Sequence, residues 1–151
     1  MRALLLTLLI AMVPVLELRG AVPVGLAAGE PLWAVLLVSI VGNMIPVPFI
    51  IICIRKIFRW MRRKSTRLEA LAERMESRGR EKAKLVNQYK LLGLFILVAI
   101  PLPGTGAWTG SLVAALLDLR LKTAVPTIFA GVVAAGILMV MITYGIGALF
   151  L

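Results

Sequence analysis

The chain has no histidine and a single cysteine, Cys53, among its 151 residues. These two absences remove much catalytic chemistry at once. An internal disulfide framework is excluded, a His/Cys metal site cannot be assembled, and neither a Ser-His-Asp nor a Cys-His nucleophile can be built. No metal, cofactor or catalytic residue is expected, and the chain is read as a non-enzyme. Cys53 is most simply a small buried apolar residue. Acidic residues are also scarce, seven against seventeen Lys and Arg, for a formal net charge of +10.

What is abundant is apolar. Hydrophobic residues make up 61% of the chain, against roughly 45–50% in soluble domains. The stretches Ala3 to Leu16 and Trp33 to Ile54 contain almost nothing that could cover a water-facing surface, so lipid is the expected solvent. The basic residues are not spread over a face, as nucleic-acid binding would require, and no nucleic acid is expected. Thirteen of the seventeen lie between Arg55 and Lys90, with only Glu69, Glu73, Glu76 and Glu81 to offset them. Such an excess marks a segment that stays in the cytoplasm, and anionic lipids would be attracted to it at about 1 kcal/mol per basic residue near the surface. A solvated basic linker is the plainer reading of the same residues.

Four apolar segments flank that block: residues 3–31 and 32–54 before it, 91–117 and 124–151 after it. The second and fourth are uncharged and exceed the roughly 20 residues a spanning helix needs, with Pro46 and Pro48 expected to kink the second and Pro126 near the start of the fourth. Asn43, one turn before Pro46, could open toward a cavity, although a simple kink is the commoner meaning. The first and third segments are interrupted by P-V-L-E-L-R-G-A-V-P-V-G from Pro14 to Gly25 and by I-P-L-P-G-T-G-A-W-T-G from Ile100 to Gly110. Neither run is expected to be a continuous helix. Broken backbone survives at membrane depth only when buried in protein or lining a watery cavity, so each is read as a re-entrant helical hairpin. The alternative is that both are full crossings, which would put Arg120 and Lys122 outside; hairpins keep them on the same side as the basic block, as the positive-inside preference favours. Arg2 followed by Ala3 to Val13 has the shape of a signal peptide, but the next stretch is again apolar, and the start is read as part of the membrane portion.

A shift of 86 residues lays Gly20-Ala21-Val22 on Gly106-Ala107-Trp108 and the helix from Trp33 to Ile54 on residues 119–140. The expected fold is therefore all-α and membrane-integral. Repeat 1 covers residues 1–54 and repeat 2 residues 91–151, each a re-entrant hairpin plus one spanning helix, in opposite orientations. Residues 55–90 form a basic amphipathic cytoplasmic linker between them. In that linker Leu68, Leu71, Ala72 and Met75 share one helical face, Thr66 and Glu69 fit a capping box, Glu76 and Arg80 pair at i,i+4, and Gly79 is expected to break the helix. The glycines and alanines from Gly131 to Gly136, and Gly145 and Gly147, read as a packing face, and a homodimer is expected.

Glu17 and Arg19 are the sharpest chemical feature, because an ionisable residue at membrane depth is costly unless paired or hydrated. The functional reading makes Glu17 a proton carrier and Arg19 a fork of donors for an anion such as a phosphate. The structural reading places both at the membrane surface, with Arg19 reaching outward to headgroups. In the second broken run Gly104, Gly106 and Gly110 free backbone N–H groups, Thr105 and Thr109 add hydroxyls, Trp108 adds an amphipathic ring, and a helix starting near Ala107 points its positive end at the same region. Gly106-x-x-x-Gly110 is also a helix-packing pattern.

The runs E-L-R-G-A-V-P-V-G from Glu17 to Gly25 and P-L-P-G-T-G-A-W-T-G from Pro101 to Gly110 closely resemble those of the small multidrug export protein family, with both motifs in order and a basic segment between them. That family resembles, at a distance, the DedA membrane proteins, whose members have opposed re-entrant hairpins and, in several cases, move polyprenyl phosphate carriers with proton coupling. By this resemblance Glu17 is the proton-coupling acid, and Arg19, Gly20, Pro23, Pro101, Pro103, Gly104, Thr105, Gly106, Trp108 and Thr109 line the substrate site. The second arginine of the DedA proteins has no counterpart, since the run around Thr105 lacks Arg. The implied function is a small transporter or flippase of an amphiphilic or anionic lipid-like substrate in a prokaryotic inner membrane, multi-pass, with residues 55–90 cytoplasmic. The alternatives are a membrane-embedded adaptor whose basic helix recruits partners, and a small channel.

Overall fold

The computed structural model describes residues 2–149 of the backbone, and side chains as far as residue 145. Seven helices account for nearly all of it: α1 (Arg2–Met12), α2 (Glu17–Ala27), α3 (Leu32–Met44), α4 (Pro46–Lys64), α5 (Thr66–Ala99), α6 (Ala107–Leu116) and α7 (Leu121–Leu149). No strand occurs among the described residues.

α3 and α4 act as one long rod. Ile45 between them keeps right-handed helical torsions (φ −54°, ψ −50°) and its N–H still reaches Val41 O at 3.1 Å. The interruption is chemical, because Pro46 and Pro48 carry no N–H to donate one turn back. The combined rod Leu32–Lys64 (33 residues) and Leu121–Gly145 (25 residues) within α7 are long and apolar enough to cross a membrane. Pro126 is accommodated inside α7. The rod does not end at Ile54, where the apolar run stops, but carries the basic sequence on to Lys64.

Ser65 is extended (φ −164°, ψ 144°) and turns the chain back so that α5 packs on α4. Its hydroxyl accepts from Arg67 N at 3.4 Å, so the cap is Ser65, one residue earlier than the Thr66 box. α5 also runs straight through Gly79. The glycine is there for close approach: a Cβ would lie 2.8 Å from Leu116 Cδ1 and 3.0 Å from Leu112 Cδ2, both on α6. In the polar part of α5 the buried residues are Ala72, Gly79, Ala83 and Val86; of the expected apolar face Ala72 is buried and Leu68 packs on the core, whereas Leu71 and Met75 are 47% and 38% exposed. The real interruption falls at Lys90, which takes φ 52°, ψ −127° and divides the polar helix from the apolar one that follows.

The first broken run differs from expectation as well. Residues 13–16 leave helical order and Glu17 follows them with a left-handed φ of 47°; the rest of α2 absorbs Gly20, Pro23 and Gly25. Pro23 removes a single intrahelical donor, the one that would serve Arg19 O, and the helix tolerates this. The second run is open from 100 to 106. The order short helix, break, short helix, long helix thus occurs twice. Helix ends correspond at a shift of 89 rather than 86: Leu32 starts α3 and Leu121 starts α7, and the left-handed residues Gly29 and Asp118 precede them.

One core joins the two halves, with Leu18 and Val22 of α2, Val35 of α3, Leu94 and Val98 of α5, Val113 of α6 and Ile128 and Val132 of α7 in a single cluster. A second cluster ties Ile50, Ile54 and Phe58 of α4 to Ala72 and Ala115. Gly110 and Gly131 both abut Val98, and Gly136 abuts Leu36 and Leu18, so these small residues serve packing within the chain. The outward faces are apolar: Leu5, Trp33, Phe49, Ile137 and Met141 are each more than half exposed. An apolar exterior of this extent is what a hydrocarbon solvent covers.

Candidate functional site

The break between α5 and α6 leaves carbonyl groups that no helix can satisfy. Pro101 and Pro103 contribute no N–H, so the loop's own backbone bonds are few, Leu102 N to Ile100 O at 2.9 Å and Thr105 N to Leu102 O at 3.2 Å among them, and its carbonyls also accept from side chains. Arg19 donates to Leu102 O, to Ile100 O at 3.3 Å and to Thr105 Oγ1 at 2.6 Å. Thr105 Oγ1 lies 2.7 Å from both Ile100 O and Leu102 O and donates its one hydrogen between them. Gly104 O accepts from Lys82 Nζ and, at 3.2 Å, from Thr109 Oγ1. The guanidinium is therefore engaged by this loop.

Glu17 answers the other need of the same break. The first N–H groups of α6 have no partner inside the helix, and Gly106, at its N-cap, has no side chain to supply one. The Glu17 carboxylate fills that place from the other half of the chain, accepting from Trp108 N at 3.1 Å. Its charge also suits the positive end of the helix. Gly106 takes φ 114°, ψ −169°, and a Cβ there would fall on the Glu17 carboxylate, so both torsion and space require glycine. Glu17 is 3% exposed and itself left-handed (φ 47°), following Val15 at φ 84°. Two such residues in three positions are backbone strain held by surrounding contacts, and they aim the carboxylate at α6. Trp108 adds a further tie between the halves, its indole N–H donating to Met12 O at 3.2 Å.

Above this junction lies a cavity of about 310 Å³. Glu17, Arg19, Gly104, Thr105, Trp108 and Thr109 line one side, and Ile50, Ile54 and Leu112 supply apolar wall. Pro14 and Val15 border it from the first break, and the remaining wall comes from α5, through Met75, Arg78, Gly79 and Lys82, four positions on one helical face. Desolvation first, then repulsion from Arg19 and Arg78, draws the Lys82 amine below its ordinary pKa.

The sequence-predicted residues therefore divide. Glu17, Arg19, Gly104, Thr105, Gly106, Trp108 and Thr109 come together. Gly20 is turned toward Leu16 and Ile10, and Pro23, Pro101 and Pro103 shape backbone without lining the cavity. The residues missed are Arg78 and Lys82, assigned to a linker. The signal was present: a glycine inside a helical pattern, flanked by basic residues and followed by no further breaker, marks a face packed closely on a neighbour. Among the described residues no three His, Cys, Asp or Glu side chains gather as a metal site.

No curated protein and no solved structure matches the chain. The sequence pattern of one family, described as "Putative small multi-drug export protein", matches residues 17–138, beginning at Glu17 itself and taking in the basic helix, the second break and most of α7. That span covers both sides of the junction and the α5 wall between them, and the protein is a membrane protein belonging to the small multi-drug export family.

Proposed function

We propose that this protein is a proton-coupled transporter or flippase of an amphiphilic, anionic, lipid-like molecule, and that Glu17 holds the place of the substrate's negative group. The observation that carries this reading is the Glu17 carboxylate on the N-terminus of α6, at the floor of a cavity with cationic and apolar walls. A helix N-terminus is a ready anion seat, and transporters with broken helices use such ends to hold anionic groups. An incoming anion, attracted by Arg78 and Lys82, displaces the carboxylate. Glu17, no longer stabilised by the helix end and removed from water, then takes up a proton, so that one proton is bound as one negative charge enters; the reverse exchange releases both. The apolar wall at Ile50, Ile54 and Leu112 suits the substrate's hydrocarbon part.

Helix lengths support the inverted re-entrant arrangement. α1, α2 and α6 have 11, 11 and 10 residues, roughly 15–17 Å at 1.5 Å per residue, about half of a hydrocarbon core near 30 Å. Each half then contributes a hairpin that enters and leaves on one side, plus one full crossing, as in DedA-like proteins. The Lys/Arg excess of residues 55–90 orients that block to the cytoplasm of a prokaryotic inner membrane.

The test uses the purified chain in proteoliposomes loaded with a pH indicator. A fluorescent acidic lipid analogue is expected to move across the bilayer with a change in internal pH, and Glu17→Gln is expected to abolish the pH change while analogue exchange at equilibrium persists. An unchanged pH response in Glu17→Gln would remove the proton role; analogue movement equal to that of empty liposomes would remove transport and leave a membrane-embedded adaptor.

A further inference from the structure

On the other face of α5 lies a second and larger cleft, about 740 Å³, whose lining shares no residue with the cavity above Glu17. Arg55, Arg59 and Arg62 line it from α4, and Arg80 and Lys84 face them from α5. The spacings 55/59/62 and 80/84 put each set on one helical face. The only carboxylate in the lining is Glu76, and it is fully used: Arg62 and Arg80 both donate to it, the latter at 2.6 Å. Arg55 is taken by Asp118 at 2.7 Å and by Ala115 O at 2.5 Å. Arg59 and Lys84 are left facing the cleft with no hydrogen bond or ion pair among the described residues.

Two packed helices that bring five cations together against two carboxylates, Glu76 and Asp118, keep an excess of positive charge that an external anion would relieve. The floor is apolar, made of Phe58, Ala83, Leu116 and Leu117, and Phe58 is 4% exposed. The cleft opens where the uncharged run of α3 and α4 gives way to charge at Arg55, the level at which lipid headgroups meet water. We infer that this cleft is a binding site for the phosphate headgroup of an anionic membrane lipid, with Arg59 and Lys84 as its direct phosphate ligands and the apolar floor continuing beneath the start of its acyl chains. Basic pockets between helices on the cytoplasmic side are suited to such headgroups. The site is separate from the transport reading and stands or falls without it.

Native mass spectrometry of the full chain in neutral detergent at physiological ionic strength tests it, with phosphatidylglycerol and phosphatidylcholine as probes. One phosphatidylglycerol per chain is expected to be retained in preference to phosphatidylcholine. The double variant Arg59→Gln/Lys84→Gln, which breaks no internal contact, is expected to weaken that binding roughly 30-fold. The double variant Arg67→Gln/Arg74→Gln removes the same charge from α5 outside the cleft and is expected to leave binding nearly unchanged. Equal weakening by both pairs would reduce the effect to general charge attraction and overturn the site. Complete displacement of the lipid by millimolar inorganic phosphate would assign the cleft to free phosphate and overturn the lipid.

Discussion

The two broken segments solve opposite problems. Residues 13–16 form a short turn that delivers two charged side chains, Glu17 and Arg19, at the head of α2. Residues 100–106 carry no ionisable side chain at all, but expose carbonyls at Ile100, Leu102 and Gly104 and the bare N-terminus of α6. The carboxylate of the first meets the N–H groups of the second, and the guanidinium of the first meets its carbonyls. The halves are therefore complementary in charge type while alike in helix order.

The contrast is broken most severely at Gly106. Gly106→Ala forces an L-residue into torsions that are nearly exclusive to glycine and drives a methyl onto the Glu17 carboxylate, and it is expected to cost about 3–5 kcal/mol, read as loss of the thermal unfolding transition in detergent. Gly20→Ala, in the first half, is helical, and its added Cβ would come no closer than 3.3 Å to Leu16 Cβ. It is expected to change stability by less than about 1 kcal/mol. Next in size is Arg19→Ala, which removes the charged donor from Ile100 O, Leu102 O and Thr105 and leaves the two carbonyls the Thr105 hydroxyl and loop N–H groups alone, for about 2–3 kcal/mol by chemical denaturation. Arg19→Lys is expected to recover less than half of this, since an ammonium cannot fork between Leu102 O and Thr105. Glu17→Ala removes the cap of α6 and is expected to cost about 1–2 kcal/mol; Glu17→Gln keeps an acceptor oxygen and is expected to cost clearly less.

The smallest effect lies away from both breaks, in the α4–α5 hairpin. Burial alone would raise the Glu76 pKa, but Arg80 and Arg62 outweigh it and hold the carboxylate below its usual range. A depressed carboxylate contributes stability that is present above its unfolded pKa of about 4.3 and is lost as pH falls through the lower folded value. With both arginines substantially exposed, the contribution is expected to be about 0.5–1 kcal/mol. Thermal midpoints of Glu76→Gln and wild type are expected to converge as the pH drops below 4.

Much of this junction is legible in the sequence because its parts are rare residue types in the wrong solvent. Glu17 and Arg19 stand out against an apolar run, and Pro101-Leu102-Pro103-Gly104 cannot be helix. Helix continuity is less legible, since Gly20, Pro23 and Gly79 look like breakers, yet each removes at most one donor or admits a close neighbour. Tertiary packing on α1 and α6 decides those cases. The reach of α5 was hidden for a related reason. Its contact face includes Gly79 and Ala83, small residues that carry weak hydropathy, so the apolar periodicity picks out Leu68 and Ala72, which pack, together with Leu71 and Met75, which are 47% and 38% exposed, and stops short of Gly79.

The measurement closest to the central claim is hydrogen–deuterium exchange at the amide of Trp108, resolved to single residues. A first-turn amide ordinarily has no partner within its helix and exchanges readily. In the wild type this amide is expected to be protected by the Glu17 carboxylate, and in Glu17→Ala to lose that protection while Leu112 and Val113, deeper in α6, keep theirs. Exchange of Trp108 at the same rate in both proteins would contradict the account, for it would mean that Glu17 does not occupy the head of α6.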